Sequence, residues 1–318
     1  MKLFYTIFIF CLVLFIYLHI QFHYKTSNDL EVYEVDQPSK AQLEEVCDVR
    51  QPLLFDFLGE EEIAQLSNLG GRNEFCLCLR EMEEGRKEQK GKEGKEGKEG
   101  KEDEKEDTII KEDILLPFSA CMSLFQKETN TPYITENNAA FLEESGITKK
   151  LKKMDGFLRP AMMSHCRYDL MMGSPGAYTP FRYLLSYRNF FIVTEETVRI
   201  KIAPPQCENL SVVKDYVRFE FASPVSPWSR GDLLEFTLRP GKTFFLPAYW
   251  WYSIQYTKGS RVLHLQYHTY MSTLSILPHL GIYALQLQNI KKSVAVKKKI
   301  IHMEEVEEVK KSETEGTS

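Results

Sequence analysis

The apolar positions change their spacing along the chain, and each change predicts a different kind of element. From Leu3 to Ile20 they form an almost unbroken run, softened by Thr6, Cys11 and His19. A helix of that length reaches about 27 Å at ~1.5 Å per residue, close to the thickness of a hydrocarbon core. Tyr17, His19, His23, Tyr24 and Lys25 give it a polar-aromatic edge suited to a membrane interface. The flank Gln21-Phe22-His23-Tyr24 offers no small-residue cleavage site, so residues 1–25 are expected to be an uncleaved signal-anchor transmembrane helix. From 26 to 84 the pattern becomes short and periodic. Ser39–Val46 predicts a helix capped by Ser39, Arg50–Phe57 a strand entered through Pro52, and Glu60–Leu66 another helix.

From 114 to 270 short β-rich runs alternate with turns. Asn189–Thr194 and Thr197–Ile202 are joined by Glu195-Glu196 at tight-turn spacing, and Pro204-Pro205 ends the second. Thr243–Pro247, Trp250–Tyr256 and Arg261–Tyr270 follow, with a turn at Lys258-Gly259. Ala139–Lys153 reads as a helix beside these strands, and Leu280–Ile290 as a closing helix within 271–292. The expected fold class is mainly β with flanking helices, behind the transmembrane segment.

Between these regions the composition shifts. Gly85 to Asp107 holds eight basic and nine acidic side chains and no apolar one, with Gly91, Gly94, Gly97 and Gly100 recurring in Lys/Glu repeats. Such a segment cannot bury enough apolar surface to offset its ordering entropy, so 85–113 is expected to be a disordered, low-complexity insertion. Residues 293–318 read as a charged tail. The hydrophobic content of 43% suits a globular core, while the mild net charge of −5 gives no nucleic-acid footprint, which would show as a basic face and a high pI. Seven cysteines at irregular spacings, with Cys76-Leu-Cys78 in place of a Cys-x-x-Cys pair, point to free thiols and not to zinc. Asn209-Leu210-Ser211 is an N-glycosylation acceptor. With Lys2 on the near side of the anchor, the bulk of a single-pass membrane protein is expected to be lumenal or extracytoplasmic.

Four motifs add a resemblance. Arg50-Gln-Pro-Leu-Leu-Phe55, Met171-Met-Gly-Ser-Pro-Gly-Ala-Tyr-Thr-Pro180, Asn189–Thr194 with Val198–Pro205, and Gly241-Lys-Thr-Phe-Phe-Leu-Pro-Ala-Tyr-Trp-Trp251 occur in that order. Together they resemble the JmjC/cupin-like, asparaginyl-hydroxylase-like domain family over residues 47–84 and 114–270. The resemblance implies a double-stranded β-helix (a cupin/jelly-roll barrel). In that family Thr-Pro-x-His-x-Asp and Pro-x-x-Trp-Trp-His supply two His and a carboxylate to Fe(II), leaving open positions for 2-oxoglutarate and O2. Here those positions hold Arg182, Leu184 and Tyr252. A guanidinium has no lone pair to offer, leucine cannot ligate, and a phenol with a pKa of about 10 ligates only at a cost. The family's lysine for 2-oxoglutarate falls at Val198, with Arg199 on the opposite face.

The resemblance therefore implies the frame of a hydroxylase with degenerate metal positions, no catalytic residue, no metal and no cofactor. The expected function is a membrane-anchored, non-catalytic binding or scaffold module with a protein or peptide partner. The alternative is an Fe(II)/2-oxoglutarate oxygenase with an atypical metal site. Thr179, Arg182, Asn189, Trp250, Trp251, Tyr252, Gln266 and His268 are the candidate pocket residues. His264 shares a strand face with Gln266 and His268, and hydrogen-bonded or surface histidines are expected there in preference to metal ligands. For Arg182, an internal ion pair filling the vacated iron space is favoured over a bidentate grip on a carboxylate or phosphate ligand. Tyr249 to Tyr252 are expected in the core, although aromatic walls at a barrel mouth also suit peptide or sugar binding.

Overall fold

The computed structural model describes residues 2–68, 73–81, 113–127, 132–208 and 210–289. The expected insertion, the charged tail and Asn209 lie outside the described residues.

Fifteen strands are described: β1 Tyr33–Val35, β2 Leu53–Asp56, β3 Cys76–Glu81, β4 Ile114–Pro117, β5 Tyr133–Thr135, β6 Met163–Gly173, β7 Phe181–Tyr183, β8 Arg188–Glu195, β9 Val198–Ala203, β10 Val213–Asp215, β11 Glu220–Ser223, β12 Leu234–Leu238, β13 Lys242–Pro247, β14 Trp251–Tyr256 and β15 Arg261–Thr269. They form a nine-stranded sheet, β1-β2-β13-β8-β15-β6-β5-β3-β4, and a six-stranded sheet, β10-β11-β7-β14-β9-β12. Neither sheet closes on itself. The α-helices are α1 Lys2–Tyr24, α2 Lys40–Val49, α3 Glu60–Ser67, α4 Phe118–Gln126, α5 Ala139–Glu144, α6 Ile147–Met154, α7 Tyr270–Ser275 and α8 Leu277–Asn289.

Strict alternation along the central strands makes two cores. On β8, Phe190 and Ile192 pack towards the helices with Phe245, Leu263, Leu265, Leu43 and Phe141. Phe191 and Val193 turn the other way and meet Ile200, Ile202, Tyr252 and Ile254 of the six-stranded sheet. The protein is thus layered as helices, large sheet and small sheet, because a strand buried on both sides must be covered on both sides.

Several sequence expectations are met closely. Ser39 caps α2 and forms a capping box with Gln42. Others are corrected. The Glu195-Glu196 spacing does not make a hairpin: β8 pairs with β13 and β15, while β9 pairs with β12 and β14 in the other sheet. Every β8 side chain but the last is buried, so β8 is a central strand whose edges are taken by longer-range partners, and the short link arches between sheets. The helix expected over Ala139–Lys153 breaks in two at Gly146, whose φ of 77° is open to glycine at little cost. Helix α4 was not expected; it starts directly after Pro117, at the end of β4, where the apolar run reads equally well as strand.

Helix α1 is long and apolar enough to cross a membrane, with a mean hydropathy of 2.5. Its side chains from Lys2 to Phe15 are exposed. Its last turn belongs to the body instead. His23 is buried and meets the Tyr187 ring edge-on at 5.4 Å, and Tyr24 Oη donates to the Ser275 carbonyl at 2.8 Å. His23 is therefore not part of the exposed polar-aromatic edge that its spacing suggests.

Candidate functional site

At one end of the space between the sheets, alternation brings polar side chains inward and leaves a cavity of about 380 Å3. Strand β15 contributes His264, Gln266 and His268, strand β6 contributes Arg167 and Asp169, and strand β14 contributes Tyr252. Arg182 stands on β7, directly opposite Tyr252 on β14 and Ala222 on β11. The three residues singled out by the resemblance are thus brought together: Arg182 Nε donates to Tyr252 Oη at 3.0 Å, and Leu184 lines the same cavity.

Arg182 is the centre of a charge network. Its Nη1 donates to Glu136 at 3.0 Å and to Glu220 at 2.8 Å, and its Nη2 makes a second contact with Glu136. Arg80 adds contacts to Glu220 at 3.4 Å, Asp113 at 3.3 Å and Glu136 at 4.0 Å. The Arg182 and Glu136 side chains are only 12% and 6% exposed, so neither charge is solvated and each depends on the other. Burial works to lower the Arg182 pKa, but the charges of Glu136 and Glu220 and the neighbouring Tyr252 outweigh it and hold the pKa well above the usual value. Burial works to raise the Glu220 carboxyl, and Arg182 and Arg80 outweigh that and depress it. Burial lifts the Tyr252 phenol to about 12, so it stays protonated and the oxygen that accepts from Arg182 remains neutral.

The turn carrying Glu136 is fixed from below. Asp169 accepts the backbone N–H groups of Asn137 at 2.8 Å and Asn138 at 2.6 Å, and the Asn138 side chain accepts from Cys78 N at 2.8 Å. Burial raises the Asp169 pKa to about 6. Sequence reasoning missed Arg80, Glu136, Asp169 and Glu220. The available signal was the placement of Glu136 and Glu220 at the ends of short strands, but their burial follows from partners distant in the chain.

The histidines form the other wall. His264 is 3% exposed, stacks on Phe191 at 4.2 Å and accepts at Nδ1 from Gln266 Nε2 at 3.3 Å, which leaves Nε2 as the protonated nitrogen. That Nε2 has no partner among the described residues. His268 stacks on His165 at 4.3 Å, and its Nδ1 is likewise without a partner. Burial, then Arg182 and Arg167, push the His264 pKa well below the ordinary value; burial and then His165 bring His268 to about 4. Both rings are neutral at pH 7.

The remaining expected pocket residues serve the fold and do not line the cavity. Thr179 Oγ1 accepts from Ile254 N at 2.9 Å. Asn189 binds Ser186 and the Leu246 carbonyl, closing the turn before β8. Trp250 is wholly buried and donates to Thr26 at 3.2 Å. Trp251 packs with Phe181, Ala203 and Leu233 in a separate cluster. On β9, Val198, Ile200 and Ile202 face the inter-sheet core, while Arg199 is exposed and pairs with Glu235.

The donor set does not fit an iron ion. Among the described residues there is no group of three or more His, Cys, Asp or Glu side chains placed to hold a metal. His264 and His268 share a face, but four residues of strand separate them by about 13 Å, too far for both to reach one ion at a nitrogen–metal distance of ~2.1 Å.

No protein-family model matches the chain, and no curated protein matches it. Among solved structures, that of E. coli ycfD is similar at 12% identity with a TM-score of 0.38, covering 83% of this chain. The chain spans 63% of that protein's length.

Proposed function

We propose that this protein is a membrane-anchored relative of the JmjC/cupin-like hydroxylases that has exchanged an iron centre for an internal ion-pair network, and that it acts as a binding module. In this reading the two sheets are the halves of a double-stranded β-helix, and a protein or peptide partner enters the cavity between them. The observation that carries the reading is Arg182: it occupies the first degenerate metal position, bonds the third at Tyr252, and is neutralised by Glu136 and Glu220. A cation fixed by two carboxylates and a phenol opposes Fe(II) binding on charge and on donor chemistry alike. Helix α1 supports the anchor, and we place the β-rich body on the lumenal side.

Two experiments test this reading. The full chain, purified in detergent and supplied with Fe(II), ascorbate and 2-oxoglutarate, is expected to release no succinate above a protein-free control; sustained turnover would favour the atypical oxygenase. Expression in a eukaryotic secretory system is expected to add a glycan at Asn209 that Asn209→Gln removes. Digestion of the body by external protease in sealed microsomes would place it in the cytosol instead.

A further inference from the structure

A second concave surface lies away from the inter-sheet cavity. It is a cleft of about 550 Å3 between α1 and the body, flanked by Leu18, His19 and Phe22 on the helix and by Met162, Tyr270 and Met271 opposite. We infer that the rim formed by Met162, Tyr270 and Leu277 rests on the lipid bilayer, so that the body docks flat against the membrane and does not swing freely from its anchor. The inference rests on the anchor reading of α1.

Depth is the first argument. The apolar run from Leu3 to Ile20 has the length of the hydrocarbon core, which puts Leu18, His19 and Phe22 at its body-side boundary. The wall across the cleft carries Met162, Tyr270 and Met271 together with the charged Glu44, Asp48 and Arg188, which pair with one another, so it lies at the polar–apolar boundary and not within the hydrocarbon core. Met162 and Tyr270 are tied to each other by the Tyr270 N–H, which donates to the Met162 carbonyl at 3.3 Å. Leu277 follows Ser275, whose carbonyl accepts from Tyr24 at the end of α1.

Exposure is the second argument. Met162 is 73% exposed, Tyr270 61% and Leu277 56%. Met162 sits at the tip of a turn with φ of 53°, a backbone region where Asn or Gly is the usual occupant and a bare thioether chain gains nothing from water. A tyrosine beside aliphatic side chains is the composition of a membrane-interface belt.

Rigidity is the third argument. The last turn of α1 is locked to the body by buried His23 against Tyr187, by the Tyr24 bond to Ser275, and by packing of α7 on α1. A body fixed to the end of a spanning helix cannot lift this rim away from the surface without breaking those contacts.

Tryptophan placed on the rim reads contact with lipid. Full-length Met162→Trp and Tyr270→Trp, reconstituted in phosphatidylcholine vesicles with brominated acyl chains, are each expected to lose at least about half of the added emission relative to unbrominated vesicles. Thr237→Trp, exposed on β12 at the edge of the small sheet, is expected to lose none. The parent, whose half-buried Trp228 and buried Trp250 and Trp251 also emit, is measured alongside and its quenching subtracted. Quenching of both rim variants no greater than that of Thr237→Trp overturns the inference. Emission that is blue-shifted but unquenched also overturns it and assigns the face to a protein contact, including a second copy of this chain. Flotation of the parent with the vesicles separates the two levels: a chain that does not float refutes the anchor itself, whereas a floating chain with an unquenched rim refutes only the docking.

Discussion

The two ends of the inter-sheet space are built by the same strands and have opposite chemistry. Towards one end, Val193, Ile200, Ile254, Val262 and Tyr256 interlock in an apolar core. Towards the other, one step of two residues along β14 replaces Ile254 with Tyr252, and one step along β15 replaces Val262 with His264. The apolar end is filled so tightly that a Cβ on Gly173 would lie 2.4 Å from the Tyr256 ring. The polar end stays open because Arg182, Glu136, Glu220 and Arg80 satisfy one another across the gap and do not fill it. The difference teaches that the fold's stability is concentrated in shape at one end and in charge balance at the other, so the two ends should fail in different ways.

The largest effect is expected at the charged end. Arg182→Met leaves Glu136, whose side chain is 6% exposed, with Arg80 at 4.0 Å in place of two direct contacts, and should cost about 3–5 kcal/mol in denaturant unfolding. Adding Glu136→Gln to the same chain should recover a substantial part of that loss. A single variant as stable as the parent would mean that the network is not holding this end together.

Acid should expose the histidine wall next. The folded-state pKa of His268 is depressed to about 4 from an ordinary 6.5, so the folded protein resists a proton that the unfolded chain accepts. Stability contributed by the neutral ring is intact above pH 6.5 and is lost as pH falls towards 4, reaching roughly 3 kcal/mol. The melting temperature of His268→Gln, measured relative to the parent, should therefore rise steadily as pH drops from 6.5 to 4. The comparison between variants is needed because Asp169, raised to about 6, contributes in the opposite direction over much of the same window. A difference that does not change with pH would contradict a buried, neutral His268.

The smaller effects belong to the apolar end. Gly173→Ala forces the wholly buried Tyr256 ring to shift and should cost about 1–3 kcal/mol, read as a lower melting temperature. Tyr256→Phe should be close to neutral, since the Tyr256 hydroxyl is buried with no partner among the described residues. A large loss on removing that hydroxyl would show that the apolar end also depends on a polar contact.

Much of the framework was legible because it is local. The apolar run of α1, the Ser39 cap and the two-residue alternation of β13, β14 and β15 are written in consecutive residues. The shared face of His264, Gln266 and His268, and the inward and outward assignment of Val198 and Arg199, followed from the same period. Strand pairing was not legible, because a tight-turn spacing between β8 and β9 is compatible with a hairpin or an arch, and only the competition for sheet edges decides. The charge network was half legible. Arg182 and Tyr252 were singled out by their place in a motif, but Glu136 reaches Arg182 from 46 residues away and Glu220 from 38. Nothing in the local pattern around either glutamate marks it as buried. Thr179, Asn189, Trp250 and Trp251 were drawn into the expected pocket by proximity in sequence, and they serve the fold because alternation and turn geometry point them elsewhere.

The central claim of the proposed function is that Arg182, held by Glu136 and Glu220, leaves this cavity unable to bind iron. The most direct test is the metal content of the full-length protein, purified without chelator in detergent and measured by inductively coupled plasma mass spectrometry before and after incubation with Fe(II). The account predicts far less than one iron or manganese per chain in both samples, unchanged by prior chelation. One tightly bound iron or manganese per chain would contradict it.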